Sequence, residues 1–300
     1  MDSVLELGKV VLITGCSSGI GLETAIECAK EGHTVFATMR NLSKSSELEK
    51  RIKKENLEDI NIIQLDVSDS SSIEDTIASV VRKTAKIDVL FNNAGFMTMG
   101  SLEDLTLSEI RDQINTDLMG PIHLTKLVLP HMKHGDEPGI VINMSSIAGK
   151  IGFGLSIPYC ISKFGIEGFT ESLRREMNAK DMGGIDRNVR VCLIEAGLVH
   201  TKFFENMERA ESSYESDYAM ETTNMEGMIN HIKTLENWSS PTDVSKKVIE
   251  IINEGAEKCK YVVGDDAKYL IEQVHASNDN CKLVDEAMME IMSQYAPQPG

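Results

Sequence analysis

Short, almost unbroken apolar runs alternate along this chain with longer stretches whose apolar residues recur at helical spacing. The runs "KVVLIT" (9–14), "HTVFAT" (33–38), "INIIQL" (60–65), "IDVLFN" (87–92), "GIVINM" (139–144) and "VRVCLIE" (189–195) are expected as strands. Nearly continuous apolarity is what a parallel sheet covered on both faces requires. Between them, 19–31, 70–85, 107–133 and 159–180 are expected as helices. This alternation predicts an α/β fold, a single Rossmann-like doubly wound parallel sheet. From about 200 to 240 the pattern loosens into a polar, methionine-containing stretch, expected as a substrate lid inserted in the domain. "SPTDVSKKVIEIIN" then opens a helix, with Ser240 as N-cap and Pro241 in the first turn. "KYVVGD" (260–265) is one last candidate strand, and the tail over 276–300 is weakly determined. No repeat, low-complexity tract or Pro/Gly-rich linker divides the chain, so residues 1–300 are expected as one domain.

Bulk composition narrows the function classes. Three hundred residues and a formal charge of −17 suit a soluble globular domain and argue against nucleic-acid binding, which needs clustered Lys and Arg. Much of the acidic excess lies beyond residue 204 and reads as solvated surface. Six scattered cysteines form no CxxC pair and no disulfide framework, which suits reduced thiols. No signal peptide is visible at the start, and no apolar run reaches the roughly 18 residues of a membrane span. A cytoplasmic location is expected. His131 and His134 lie at i, i+3 but have no placed carboxylate or thiolate partner, so no metal site is expected. Sequons at Asn41, Asn143 and Asn237 are coincidental in such a compartment.

Candidate chemistry begins after the first strand. "LITGCSSGIGLETA" sets Gly15, Gly19 and Gly21 between a strand and a helix. Glycines there admit a pyrophosphate close to the backbone, with helix N-terminal N–H groups meeting its charge. Alone the pattern also suits a tight strand–helix turn. At the end of the second strand an NAD site would carry an acidic residue for the ribose hydroxyls. Met39 stands there instead, followed by Arg40, with Lys44 nearby. A cation favours a 2′-phosphate, so NADP(H) is expected over NAD(H).

Three more features fall at strand ends or on the helices that follow: "NNAG" (92–95), "NMSSIAG" (143–149) and "YCISK" (159–163). Each could be mundane, as a turn, a helix cap or a stacked surface pair. Together, and in this order, over about residues 8–204, they resemble the short-chain dehydrogenase/reductase family. "VVLITGCSSGIGLETA", "YCISKFGIEGFTESL" and "LIEAGLVHTKF" are most similar to the branch holding 17β-hydroxysteroid dehydrogenase type 1 and the photoreceptor-type retinol dehydrogenases. The resemblance implies a catalytic tetrad of Asn115, Ser146, Tyr159 and Lys163. It also implies cofactor contacts from Thr14, Gly15, Ser17, Ser18, Gly19, Ile20, Gly21, Arg40, Asp66, Val67, Asn93, Ala94, Gly95, Tyr159, Lys163, Gly197, Val199 and Thr201.

Physical chemistry supports these roles independently. A phenol with a pKa near 10 is a poor proton-transfer group at neutral pH, and a lysine cation one turn away favours its phenolate. Ser146 would stabilise charge developing on the substrate oxygen; Ser145 is its local competitor. Asn115 would sit at a helix irregularity and anchor a water leading from Lys163 to solvent. Ala196 stands where the family usually has proline before Gly197, which is expected to loosen the loop. Phe96, Met97, Met99, the 151–156 segment, Leu198, Phe203, Phe204 and Met207 are candidates for a lipophilic substrate pocket or for simple lid packing. His200 is expected at the surface.

The sum is an NADP(H)-dependent oxidoreductase interconverting an alcohol and a ketone or aldehyde, on a small lipophilic steroid-, retinoid- or fatty-type carbonyl. It is expected as a homodimer or homotetramer through helices 107–133 and 159–180. The rivals are a catalytically silent dinucleotide-binding redox sensor or scaffold, and a sugar-nucleotide epimerase or dehydratase on the same sheet.

Overall fold

The computed structural model describes residues 8–132, 137–234, 238–277 and 285–286. Its strands in chain order are β1 (Val10–Ile13), β2 (Thr34–Met39), β3 (Ile60–Gln64), β4 (Val89–Asn92), β5 (Thr98–Met99), β6 (Gly139–Met144), β7 (Val189–Ala196), β8 (Glu208–Arg209) and β9 (Lys260–Val263). Seven of them form one sheet in the order β3-β2-β1-β4-β6-β7-β9, with every pairing parallel. β5 and β8 pair apart from it, also in parallel.

Alternate residues along each strand feed opposite cores, as the two-residue pleat period dictates. Val11 and Ile13 pack with Val35, Phe91, Ile142 and Ile194 on one face, while Val10 and Leu12 pack with Leu90, Val141 and Val191 on the other. The first face is covered by α1 (Gly19–Lys30), α2 (Ser46–Glu55) and α8 (Pro241–Glu254). The second is covered by α3 (Ser70–Thr84), α5 (Gly120–Met132) and α6 (Ile157–Met177). Ser240 opens α8 with a capping box: its Oγ accepts the Asp243 N–H at 3.2 Å, and the Asp243 carboxylate accepts the Ser240 N–H at 2.7 Å.

The expected helix 107–133 is divided. α4 (Leu107–Ile114) passes through a π turn at Asn115–Met119 before α5 begins. The sequence supplies the cause at Pro121, whose missing N–H takes it out of the i→i−4 ladder. The Gly120 N–H instead donates to the Asn115 carbonyl, five residues back. The loosened 201–240 region contains β8 and α7 (Ala219–Ile232). A final helix, α9 (Asp265–Ala276), follows β9; it was not anticipated, although two acidic residues in its first turn and apolar Ala267, Leu270 and Ile271 mark it.

From β1 the chain runs outward through β2 and β3, then returns to place β4 on the other side of β1. The crevice opens at the carboxyl ends of strands flanking this reversal, where connecting helices leave on opposite faces.

Candidate active site

A cavity of about 670 Å³ occupies that crevice. One half is a polar cradle. Gly15 has φ +75°, and a Cβ there would lie 2.9 Å from the Ala94 Cα, so glycine is required both for the turn and for the close approach of β4's end. Ser18, the N-cap of α1, is extended and accepts no backbone hydrogen bond, and the first turn of α1 holds no acidic residue. The helix thus presents open N–H donors to the cavity. Ser17, Ser18, Gly19 and Ile20 line it, as do Asp66 and Val67 after β3 and Asn93, Ala94 and Gly95 after β4.

Thr14 and Gly21 lie behind that wall. Thr14 Oγ1 accepts the N–H groups of Asn93 and Ala94, each at 2.9 Å, while Asn93 Nδ2 donates to the Thr14 carbonyl at 2.8 Å. These bonds lock the ends of β1 and β4 together. Asn92 Nδ2 similarly donates to Asn143 Oδ1 at 2.8 Å, tying β4 to β6; fully buried Asn143 is no accessible sequon. Arg40 is exposed at the cavity rim beside Lys44, and neither has an acidic partner among the described residues.

The catalytic candidates meet where β6 and α6 converge. Ser146 caps the short 3-10 turn Ile147–Gly149, accepting the Ala148 N–H at 3.2 Å, and shares the cavity wall with Tyr159. Ser145 is buried, with Oγ donating to Glu167 Oε1 at 2.7 Å. That carboxylate belongs to a buried cluster in which Lys150 bridges Glu167 (2.5 Å) and Glu195 (2.7 Å). Both serines line the cavity, but the Ser145 hydroxyl is already spent on a carboxylate, which leaves Ser146 as the better candidate. Tyr159 is half-buried on the cavity wall. Lys163 is 5% exposed, with Nζ 5.4 Å from the Tyr159 ring centre and donating to the Met144 carbonyl at 3.1 Å.

Two sequence expectations meet a different arrangement here. Asn115 opens a helix irregularity, the π turn, as expected, but it is exposed and does not line the cavity. The turn instead directs Asp117 inward: its Oδ2 lies 3.3 Å from Lys163 Nζ, and its Oδ1 accepts the Phe96 N–H at 3.2 Å. Nor does Lys163 decide the direction of the Tyr159 shift. Burial pushes the phenol up from its ordinary value, Lys163 pulls it down, and Asp117 pushes it up again. Burial likewise holds the Asp117 carboxyl at about 6, against the pull of Lys163. Burial alone would lower Lys163, but the Asp117 and Tyr159 charges outweigh it and raise the ammonium above its ordinary value.

After β7, Gly197, Val199 and Thr201 complete the cavity wall. Hydrogen bonds tie this loop where Ala196 is expected to loosen it. The Gly197 N–H donates to the Val263 carbonyl at 3.0 Å and the His200 N–H to the Ser239 carbonyl at 2.9 Å. Asp266, from α9, accepts the Leu198 N–H at 2.7 Å. Sequence reasoning missed Asp266 because nothing local links residues 68 positions apart.

The other half of the cavity is apolar. Phe96, Met97, Phe153, Leu198, Phe203 and Phe204 line it, joined by Met225 and Ile229 of α7. Met99 and Met207 instead pack behind it, buried with Met97 and Ile229. The Tyr159 ring lies 5.5 Å from Phe203, Phe203 lies 5.5 Å from Phe204, and Phe204 meets Trp238 edge-on at 6.1 Å. His200, exposed and outside the cavity lining, stacks on Trp238 at 4.9 Å. No group of His, Cys, Asp and Glu among the described residues could hold a metal ion; His134 and Asn237 lie outside those residues.

Known proteins share both sequence and architecture with this chain. The model of the short chain dehydrogenase family matches residues 9–212. The chain is 34% identical over 212 residues to a 3-ketodihydrosphingosine reductase of Bacteroides thetaiotaomicron, covering 70% of this chain and 72% of that protein. It is 37% identical over 198 residues to human retinol dehydrogenase 8, covering 65% of this chain and 60% of the relative. It is 36% identical over 204 residues to rat estradiol 17-beta-dehydrogenase 1, covering 66% and 56%. Retinol and estradiol enzymes are thus both among its relatives, as the branch resemblance implies. A short-chain dehydrogenase from Streptomyces avermitilis superposes with a TM-score of 0.76 at 25% identity, over 96% of this chain and 99% of its own. The glycine turn, the NNAG corner and the Ser–Tyr–Lys wall thus occur together in a chain that belongs to the short-chain dehydrogenase/reductase family.

Proposed function

We propose that this protein is an NADP(H)-dependent oxidoreductase that interconverts an alcohol and a ketone or aldehyde on a lipophilic substrate. One observation carries the reading: Ser146 and Tyr159 stand on a single cavity wall, with the nucleotide cradle on one side and an apolar chamber on the other. The residues present fit a dinucleotide, because glycine-shaped space and uncapped N–H donors meet at the start of α1. When bound, the nicotinamide supplies or accepts the hydride. Exposed, carboxylate-free Arg40 and Lys44 at the end of β2 support a 2′-phosphate over a bare ribose.

The chain's own residues handle the oxygen. Ser146 orients it by hydrogen bonding, Tyr159 gives or takes its proton, and Lys163 stabilises the phenolate that remains. The aromatic and methionine lining favours a lipophilic carbonyl, and the 200–240 region acts as the lid over it. Scattered thiols, unpaired among the described residues, support a reducing, cytoplasmic setting; no helix of the described residues is long and apolar enough to cross a membrane. Ile157, Ile161 and Phe164, exposed at i, i+4 and i+7 on α6, support assembly into a homodimer or homotetramer.

The test follows nicotinamide absorbance with NADPH and with NADH over steroid, retinoid, aliphatic and aromatic carbonyls. Turnover with an NADPH preference, abolished in Tyr159→Phe, is expected. Turnover confined to small polar sugars or hydroxy acids would overturn the substrate reading. Cofactor binding with no turnover on any compound would favour a silent binding protein.

A further inference from the structure

The resemblance implied a neutral asparagine as the fourth member of the site, and the fold presents a carboxylate there instead. Asp117 is 1% exposed and rests against Lys163, while Gly95 faces it without a side chain. A Cβ on Gly95 would lie 2.8 Å from Asp117 Oδ2, so the corner after β4 is shaped around this carboxylate. The Phe96 N–H fixes one oxygen at 3.2 Å. Gln113 of α4 accepts the Thr98 N–H and donates to the Phe96 carbonyl, each at 2.8 Å, and its amide lies near enough to pull the Asp117 carboxyl down. The carboxylate is therefore held in place from both the loop and the π turn.

We propose that Asp117 is a positioning residue that acts through Lys163: it offsets part of the lysine charge, keeps Tyr159 in its proton-bearing form, and so sets the site for carbonyl reduction. This rests on the oxidoreductase reading above. In that direction the Tyr159 O–H bond breaks, its electron pair stays on the phenolate oxygen, and the proton passes to the substrate oxygen; solvent then reprotonates the phenolate. A site that must donate a proton works below the pH at which the phenol ionises, so anything that delays ionisation widens its working range upward. An anion beside the only cation facing Tyr159 among the described residues does that by Coulomb's law.

Other charged groups around the trio contribute less or face elsewhere. The Cys160 thiol, next along α6, pushes the phenol up less than Asp117 does, and is itself pushed up by burial. Lys150, after β6, is paired with Glu167 and Glu195, and Asp266 of α9 faces the Leu198 N–H. Glu109, Arg111 and Asp112 of α4 are partly or fully exposed at the surface. Because Asp117 titrates at about 6, it is ionised throughout the alkaline range in which Tyr159 would lose its proton.

The test is a spectrophotometric titration of the cofactor-free protein at 295 nm, where phenolate absorbs. The signal of Tyr159 is isolated by subtracting the same titration of Tyr159→Phe. Asp117→Asn is expected to ionise Tyr159 about one pH unit lower, giving about tenfold more phenolate at a given alkaline pH below the midpoint. The alkaline limb of carbonyl reduction should move down by the same amount. If Asp117→Asn does not give a folded circular-dichroism spectrum, Asp117→Ser carries the same measurement. An unchanged or higher ionisation pH in a folded variant overturns the proposal. The reading beneath it fails separately, by full activity in Tyr159→Phe, and the titration needs no turnover at all.

Discussion

Two neighbouring serines show how far residue identity alone can go. Ser145 and Ser146 are indistinguishable by type, and only the family's interval of thirteen residues to Tyr159 favours Ser146. The structure adds the physical distinction, because the Ser145 hydroxyl is spent on Glu167 while Ser146 shares the cavity wall with Tyr159. Ser146→Ala is expected to lower turnover about 10²- to 10³-fold, as loss of an oxyanion donor does elsewhere. Ser145→Ala should leave turnover within a few-fold and instead lower the melting temperature, since it strips a partner from a buried carboxylate. Steady-state rates and thermal melts of both variants check this; full activity in Ser146→Ala would reverse the assignment. Tyr159 and Lys163 were legible for a similar reason, since one helical turn fixes their proximity. Asp117 was not. Its approach to Lys163 depends on a π turn and a glycine corner contributed by separate parts of the chain, and no local spacing encodes it.

At the scale of elements, strands were legible because a sheet buried on both faces leaves nearly every strand position apolar. Their expected limits differ from the observed ones by no more than two residues at either end, as with 87–92 against Val89–Asn92. Helix interruptions and remote ties were less legible. The pattern at 107–133 is continuous in polarity, and the break shows only in Pro121 and in the irregularity expected at Asn115. The loop after β7 shows the same limit: losing a proline predicted looseness, whereas a helix appended after β9 ties the loop with Asp266. That tie is testable. Asp266→Ala is expected to raise the cofactor KM about tenfold, the equivalent of one hydrogen bond to a charged acceptor. Asp266→Asn, which keeps an acceptor oxygen, should retain most of the wild-type value. Initial-rate kinetics at varied cofactor decide it; an unchanged KM in Asp266→Ala would show that the loop does not need the tie.

For the whole molecule, alternation of strands and helices announced a parallel sheet but not the order of its strands, which depends on where each crossover returns. Oligomeric state is a property of the same scale, since it depends on surface left uncovered once every core is filled. Phe164 is 48% exposed and Ile161 equally so, on a helix whose inner face is already packed. Light scattering at micromolar concentration is expected to give at least twice the 33.1 kDa chain mass, and Phe164→Glu should shift the population toward monomer. A wild-type mass near that of one chain would remove the assembly from the proposal.

The single tryptophan of the chain sits at the far end of the ring series that begins at Tyr159. It is therefore a native optical probe wired to the chamber. Trp238 emission, excited selectively, reports on that corner alone without any label. A reduced nicotinamide in the cavity should drain its excited state by energy transfer, and a substrate that reorders Phe203 and Phe204 should change its colour. One fluorescence titration would then follow nucleotide and substrate at a single residue.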